Sequence, residues 1–397
     1  MQFKKPISIL HLITTLDVGG AEMMLLKLLS FMDLGVFSNQ VVGLTAMGQV
    51  GKKISDRGFP VYALNMPSGR LTMDGLIRLW RILRFSKPTI LQTWLYHADF
   101  LGLLFGKCAG VKNICWNIRC SYRDLGEHGL STRLALRLCT LLSFLPKTVI
   151  VNSQEGLKYH SQLGYKPKQW KMIPNGFDLK RFRPNRKGRG KILSELGLDK
   201  KGRPEKEKKR GPGHAQPDTV LIGLIARYAP IKDHPLFIDA GRLLLEKRID
   251  VHFVLAGRDV TWENRTLADR IPDRWKGHFH LLGERGDVEK ITAALDIASL
   301  VSYGEGFPNI ICEAMACGVP CVVTDVGDSA RIVGDAGRVV PCRDPEAVAA
   351  AWNELIDLGE EGRRGLGLAA RQRVKERFDL SDAVRKYENL YASIAAS

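Results

Sequence analysis

Two runs of strand–helix alternation, separated by a basic stretch, constrain this chain more than any other feature. ISILHLI (7–13) reads as a strand; Gly19-Gly20-Ala21-Glu22 and the helical MMLLKLLSFM follow it. QVVGLT, VYALN, TILQTW, NICWNI and TVIVNS are further strands, most of them separated by helical segments. The pattern restarts with VLIGLIAR (220–227), VHFVLAG (251–257), FHLLG (279–283), IASLVSY (297–303) and PCVVTD (320–325). Alternation of this kind produces parallel sheets covered by helices on both faces. The 397 residues exceed what one core organises well, so two α/β domains facing across a cleft are expected. The expected boundaries are 1–178 for the first domain, 179–218 for a linker, 219–379 for the second domain, and 380–397 for a terminal helix. That helix, LSDAVRKYENLYASIAAS, carries Leu380, Val384, Tyr387 and Leu390 or Tyr391 on one face, which is expected to pack back on the first domain. Ligands of such sheets bind beyond the carboxyl ends of the strands, so the residues just after each strand are the candidates for function.

Composition removes several classes. No apolar run approaches the roughly 18 residues of a membrane span; the best, Leu134–Leu145, is interrupted by Arg137. The apolar start of the chain ends at Asp17-Val18-Gly19-Gly20 without a cleavage-type tail, so a secretory leader is not expected. The eight cysteines form no Cys-x-x-Cys pair, which argues for free thiols in a reducing compartment and against a zinc site. The net charge is +17, part of it concentrated in RPNRKGRGKILSELGLDKKGRPEKEKKRG (183–211). That stretch, continuing to Pro217, reads as a flexible, solvated insertion that buries no core. Its cations lack interleaved aromatics, so it does not read as a nucleic-acid site. A basic protein of this kind suits phosphorylated substrates or an anionic membrane surface. In LTMDGLIRLWRILRF (71–85), Arg78, Arg81 and Arg84 share one broad helical side, with Leu76, Leu79, Trp80 and Leu83 opposite.

Three strand ends carry chemistry. Gly19-Gly20 opens a helix and lets backbone N–H groups approach a phosphate, but the spacing is not Gly-x-Gly-x-x-Gly and indicates no dinucleotide cofactor. A tight turn without a ligand is the alternative. Arg227 and Lys232, in LIARYAPIKDH, suit the charge and donor geometry of a diphosphate; otherwise they belong to a solvated loop. EGFPNIICEAMACGVP (305–320) places Glu305 in a loop and Glu313 in the first turn or so of a helix that Gly318 and Pro320 stop. One carboxylate can reach a sugar and the other a ribose, or both are a loop charge and a helix-dipole charge. His97, after TILQTWLY, is a further strand-end candidate or a structural histidine.

The order of Gly19-Gly20-Ala21-Glu22, Asn152-Ser153, IPNGFD (173–178), Arg227 with Lys232, and Glu305-x7-Glu313 resembles the family 4 retaining glycosyltransferases. YHADFLG and TDVGDSARIVGDAG are most similar to the branch that builds O-antigen and other surface polysaccharides. The resemblance implies a GT-B fold and a nucleotide-sugar donor linked to UDP or GDP. It assigns Glu313 to the donor ribose and Glu305 to sugar hydroxyls. The amides around Gly306, Phe307, Asn309 and Ile310 would lie near sugar and diphosphate; Pro308 has no N–H to offer. Arg227 and Lys232 would neutralise the leaving diphosphate, with Gly19-Gly20 approaching it. No Asp-x-Asp is present, so a metal-independent reaction without cofactor is expected. The family often carries a histidine near the sugar where this chain has Arg119. A lipid-linked or saccharide acceptor and a peripheral position on the inner face of the plasma membrane are implied as well. A nucleotide-sugar epimerase of the same fold, or a non-catalytic basic membrane- or nucleic-acid-binding protein, are the alternatives. The family's complete motif order speaks against the first.

Overall fold

A computed structural model describes residues 6–119, 129–198 and 219–397. The chain divides into two compact units, one running to Gly176 and completed by Leu380–Ser397, the other spanning Phe177–Asp379.

The first unit holds seven strands: β1 (Ile7–Ile13), β2 (Phe37–Gly43), β3 (Val61–Ala63), β4 (Ile90–Trp94), β5 (Asn113–Ile118), β6 (Thr148–Val151) and β7 (Trp170–Met172). Their order is β3-β2-β1-β4-β5-β6-β7, with every pair parallel. The second unit holds β8 (Val220–Ile225), β9 (Val251–Ala256), β10 (Phe279–Leu281), β11 (Ile297–Leu300), β12 (Cys321–Thr324) and β13 (Gly337–Val340). Their order is β10-β9-β8-β11-β12-β13, again all parallel. The strand order reverses between β1 and β4 in one sheet and between β8 and β11 in the other. Crevices for ligands open at such switch points, beyond the carboxyl ends of the strands.

The terminal helix Leu380–Ala396 belongs to the first unit and buries Leu380, Val384, Tyr387, Leu390 and Tyr391 in the core formed with helix Gly20–Phe31. Each such apolar side chain contributes about 1.5–3 kcal/mol on burial. Two expectations change. Within 183–211, residues Arg186–Glu195 form a helix whose Ile192 is buried in the second unit's core. Arg189 there binds Asp296 at 2.7 Å and the Thr219 carbonyl at 2.8 Å. A basic helix with one apolar anchor and a paired arginine can dock where composition alone suggests solvent. The remainder of the insertion, 199–218, lies outside the described residues. On helix Met73–Ser86, Leu79 and Leu83 are buried, but Trp80 stands exposed on the side of Arg81 and Arg84, together with Met73, Ile77 and Phe85. Arg78 leans inward instead, donating to the Ala63 carbonyl at 3.0 Å. No helix among the described residues is long and apolar enough to cross a membrane.

Candidate active site

In the second unit, three strand-end loops meet at the switch point. After β8, Arg227 is exposed, and Pro230–Lys232 forms a tight turn stopped by Asp233. Asp233 adopts the left-handed conformation at φ 49° and accepts from the Leu236 N–H at 3.2 Å, capping helix His234–Leu245. After β11, the Tyr303 N–H donates to the Ile231 carbonyl at 3.1 Å, tying the loop of Glu305 to the loop of Lys232. Lys232 Nζ forms an ion pair with Glu305 Oε1, and Ser302 Oγ donates to the same oxygen at 2.8 Å. After β12, the Asp328 N–H donates to the Gly306 carbonyl at 3.0 Å. Gly327 sits at φ +55°, and a methyl group there would overlap the carbonyl oxygens of Glu305 and Gly306. This glycine is therefore required for the close approach of the two loops.

Phe307 is buried between Phe177, stacked at 6.2 Å, and Phe378, edge-on at 5.5 Å. It anchors the start of helix Asn309–Ala316, whose N-terminus no side chain caps. Asn309, Ile310 and Glu313 remain half-buried on that helix. Glu313 is its fifth residue, just past the first turn, and Pro308 is the N-cap, as the turn at Phe307-Pro308-Asn309 led one to expect. Lys232 and Glu305, expected to serve diphosphate and sugar separately, face each other directly. Ser302 and Gly327 were not foreseen, because neither residue type signals chemistry without its neighbours in space.

The first unit has a different site at its switch point. Gly19 is the N-cap of helix Gly20–Phe31 and Gly20 its first residue. The carboxylate of Glu22 folds back so tightly that a side chain on Gly19 would overlap it. Glu22 is only 4% exposed. Burial pushes its pKa up to about 7, against the smaller opposing pulls of its own backbone N–H and the Arg119 guanidinium; Asp17 adds a minor upward push. The loop expected to welcome a phosphate thus already holds a carboxyl group.

Arg119, at the end of β5, lies 4.8 Å over the Trp94 ring. Its Nη2 donates to Tyr387 Oη at 2.6 Å and its Nη1 to Asn175 Oδ1. His97 is the second residue of helix Tyr96–Cys108; burial lowers its pKa, and its Nε2 has no hydrogen-bond partner. No hydrogen bond joins His97 to Arg119 among the described residues. The backbone just before His97 is strained at Leu95, a non-glycine residue at φ 72°. Asn175 stood in a quoted motif and Tyr387 on the terminal helix, but nothing in their spacing announced a partnership with Arg119. Among the described residues, no group of three or more His, Cys, Asp or Glu is placed to hold a metal.

The comparisons with known proteins agree with this architecture. A model described as Glycosyltransferase Family 4 matches residues 18–181, and one described as Glycosyl transferases group 1 matches 218–357. The UDP-Gal:alpha-D-GlcNAc-diphosphoundecaprenol alpha-1,3-galactosyltransferase of Escherichia coli is 22% identical over 332 residues, 82% of this chain and 80% of that protein. The N,N'-diacetylbacillosaminyl-diphospho-undecaprenol alpha-1,3-N-acetylgalactosaminyltransferase of Campylobacter jejuni is 24% identical over 311 residues, 75% of this chain and 76% of that protein. The solved structure of Anabaena HepE in complex with UDP and glucose superposes with a TM-score of 0.81 at 20% identity, covering 98% of this chain and 100% of the other. With two family models spanning most of its length and two parallel sheets of the matching topology, the chain belongs to the family 4, group 1 glycosyltransferases of GT-B fold and is a hexosyltransferase.

Proposed function

We propose that this enzyme moves a hexose from a UDP- or GDP-linked donor to a lipid-linked diphosphate acceptor during surface-polysaccharide assembly, with retention of configuration. The observation that carries the donor half is the ion pair of Lys232 with Glu305 at the switch point of the second sheet, with Arg227 and Glu313 on the same two strand-end segments. Departure of a nucleoside diphosphate builds negative charge, and fixed cations aimed at that charge lower the barrier. Arg227 and Lys232 supply it without requiring a metal ion. Glu305 then has two tasks: it holds Lys232 in place before the donor arrives, and it accepts from sugar hydroxyls afterwards. Glu313 serves the ribose, with the amides of Gly306, Phe307, Asn309 and Ile310 toward sugar and diphosphate. Gly19, Gly20, His97 and Arg119 serve the transfer from the first unit.

The acceptor half rests on the relatives, whose names print diphospho-undecaprenol acceptors. It also rests on the exposed strip of Met73, Ile77, Trp80, Arg81, Arg84 and Phe85. Apolar side chains alternating with arginines on one helix face suit the headgroup boundary of an anionic membrane, which supports a peripheral position on the cytoplasmic leaflet.

A panel of nucleotide sugars, scored by thermal shift and by donor hydrolysis, tests the donor half. Stabilisation by UDP or GDP in the parent, lost in Glu313→Ala, is expected; no shift with any nucleoside diphosphate would sink the reading. Binding to anionic liposomes that weakens with salt, and is reduced by Trp80→Ser with Phe85→Ser, is expected for the membrane half. Equal binding to neutral vesicles would refute it.

A further inference from the structure

Arg119 is half-buried and is held by side chains rather than by backbone carbonyls. Among the described residues no carboxylate lies within ion-pair distance of it, and its hydrogen-bond partners are neutral. Nη2 donates to Tyr387 Oη at 2.6 Å, Nη1 donates to Asn175 Oδ1, and the guanidinium plane lies 4.8 Å from the Trp94 ring centroid. The partners are themselves fixed. Tyr387 Oη also accepts from Asn117 Nδ2 at 2.9 Å, Asn175 Oδ1 accepts from Asn152 Nδ2 at 3.4 Å, and the Tyr387 and Trp94 rings stack at 6.3 Å. Tyr387 and Trp94 are fully buried. Arg119 Nε is buried and has no hydrogen-bond partner among the described residues.

Other enclosed arginines among the described residues tie backbone segments together, Arg363 on the Leu355 and Ile356 carbonyls and Arg371 on those of Leu179, Phe182 and Ala316. Neutral acceptors and an aromatic face do something else: they fix the fork of the guanidinium while leaving its positive charge uncancelled. The Glu22 carboxyl, which feels the Arg119 charge, is pushed by burial up to about 7 and so carries only part of a negative charge at neutral pH.

We infer that Tyr387, on the last helix of the chain, is a positioning residue for Arg119, aiming an unneutralised cation for sugar transfer, with Asn175 and Trp94 completing the cage. The inference rests on the reading above that Arg119 serves the reaction. It gives the return of the terminal helix to the first unit a catalytic consequence: the hydroxyl that orients the arginine lies 268 residues away in sequence.

The experiment is a rescue cycle with UDP-galactose and GDP-mannose as donors, following whichever is hydrolysed. Arg119→Ala is expected to lower kcat by about a hundredfold, the scale of losing one charged donor to the transition state. Added guanidinium at millimolar concentration should restore part of it, because the cage still binds the planar cation. Tyr387→Phe removes one oxygen and keeps the ring; it should lower kcat about tenfold, the scale of one hydrogen bond to a charged group, with donor KM unchanged. In Arg119→Ala/Tyr387→Phe the rescue should vanish. Thermal melting of Tyr387→Phe, run in parallel, separates this from loss of fold. Parent-like kcat in Tyr387→Phe, or equal rescue with and without the hydroxyl, overturns the positioning role. Parent-like kcat in Arg119→Ala instead removes the reading of Arg119 on which it rests, and the role with it.

Discussion

The two switch points handle charge in opposite ways. In the second unit, a cation and an anion meet directly: Lys232 pairs with Glu305 between two strand-end loops, while Arg227, on the loop of Lys232, is exposed. In the first, Arg119 is fixed by neutral groups and Glu22 is buried as a carboxyl group that holds its proton to about pH 7. A site that must release and recapture a highly charged leaving group benefits from an ion pair that can exchange partners. A site that orients a sugar or an acceptor benefits from charges that stay where they are.

Breaking the contrast at its strongest point means removing the exchangeable cation. Lys232→Ala should lower kcat by about a hundredfold to a thousandfold, the range of losing one electrostatic donor to a developing anion. Single-turnover donor cleavage measures it; a loss below about threefold would leave Lys232 a loop charge. Glu305→Gln comes next. It keeps a hydrogen-bond acceptor but frees Lys232, so kcat should fall about tenfold while nucleoside diphosphate binds no more weakly, and even more tightly, than to the parent. Titration calorimetry with UDP and GDP decides it, and weaker binding would refute the paired arrangement as the resting state.

A separate expected effect, on stability and not on turnover, concerns the first unit. The Glu22 pKa is about 7 in the folded chain against the ordinary 4.5 of a glutamate, so the folded state keeps a proton that the unfolded chain releases. Its contribution is complete below pH 4.5 and is lost as pH rises to about 7. Glu22→Gln removes that loss. The variant should match the parent at pH 4.5 and exceed it by up to about 3 kcal/mol above pH 7 in urea unfolding. Parallel stability curves across this window would mean that Glu22 is not desolvated.

Legibility follows the same division. The second site was readable because its groups are local: Arg227 with Lys232 and Glu305 with Glu313 each stand within one strand-end segment, and a strand followed by a turn announces itself in β-branched runs and glycine. What escaped was register in three dimensions. Lys232 and Glu305, 73 residues apart, turn out to be partners. The first site was hardly readable at all. Arg119 stood out only because the resemblance expected a histidine there, and its partners lie 56 and 268 residues away.

The sequence by itself determined the two α/β units, their parallel sheets and the strand-end segments that carry charge, since period, turn residues and charge are local properties of a chain. Only the tertiary structure decided which of those charges meet a counter-ion and which are left uncancelled. Side-chain pairing depends on which loops the sheet order brings together, and on a terminal helix that packs against residues far from it in the chain. Burial then sets what each group does, because the same carboxyl that is a solvated anion in a loop becomes a proton reservoir beneath a helix N-terminus.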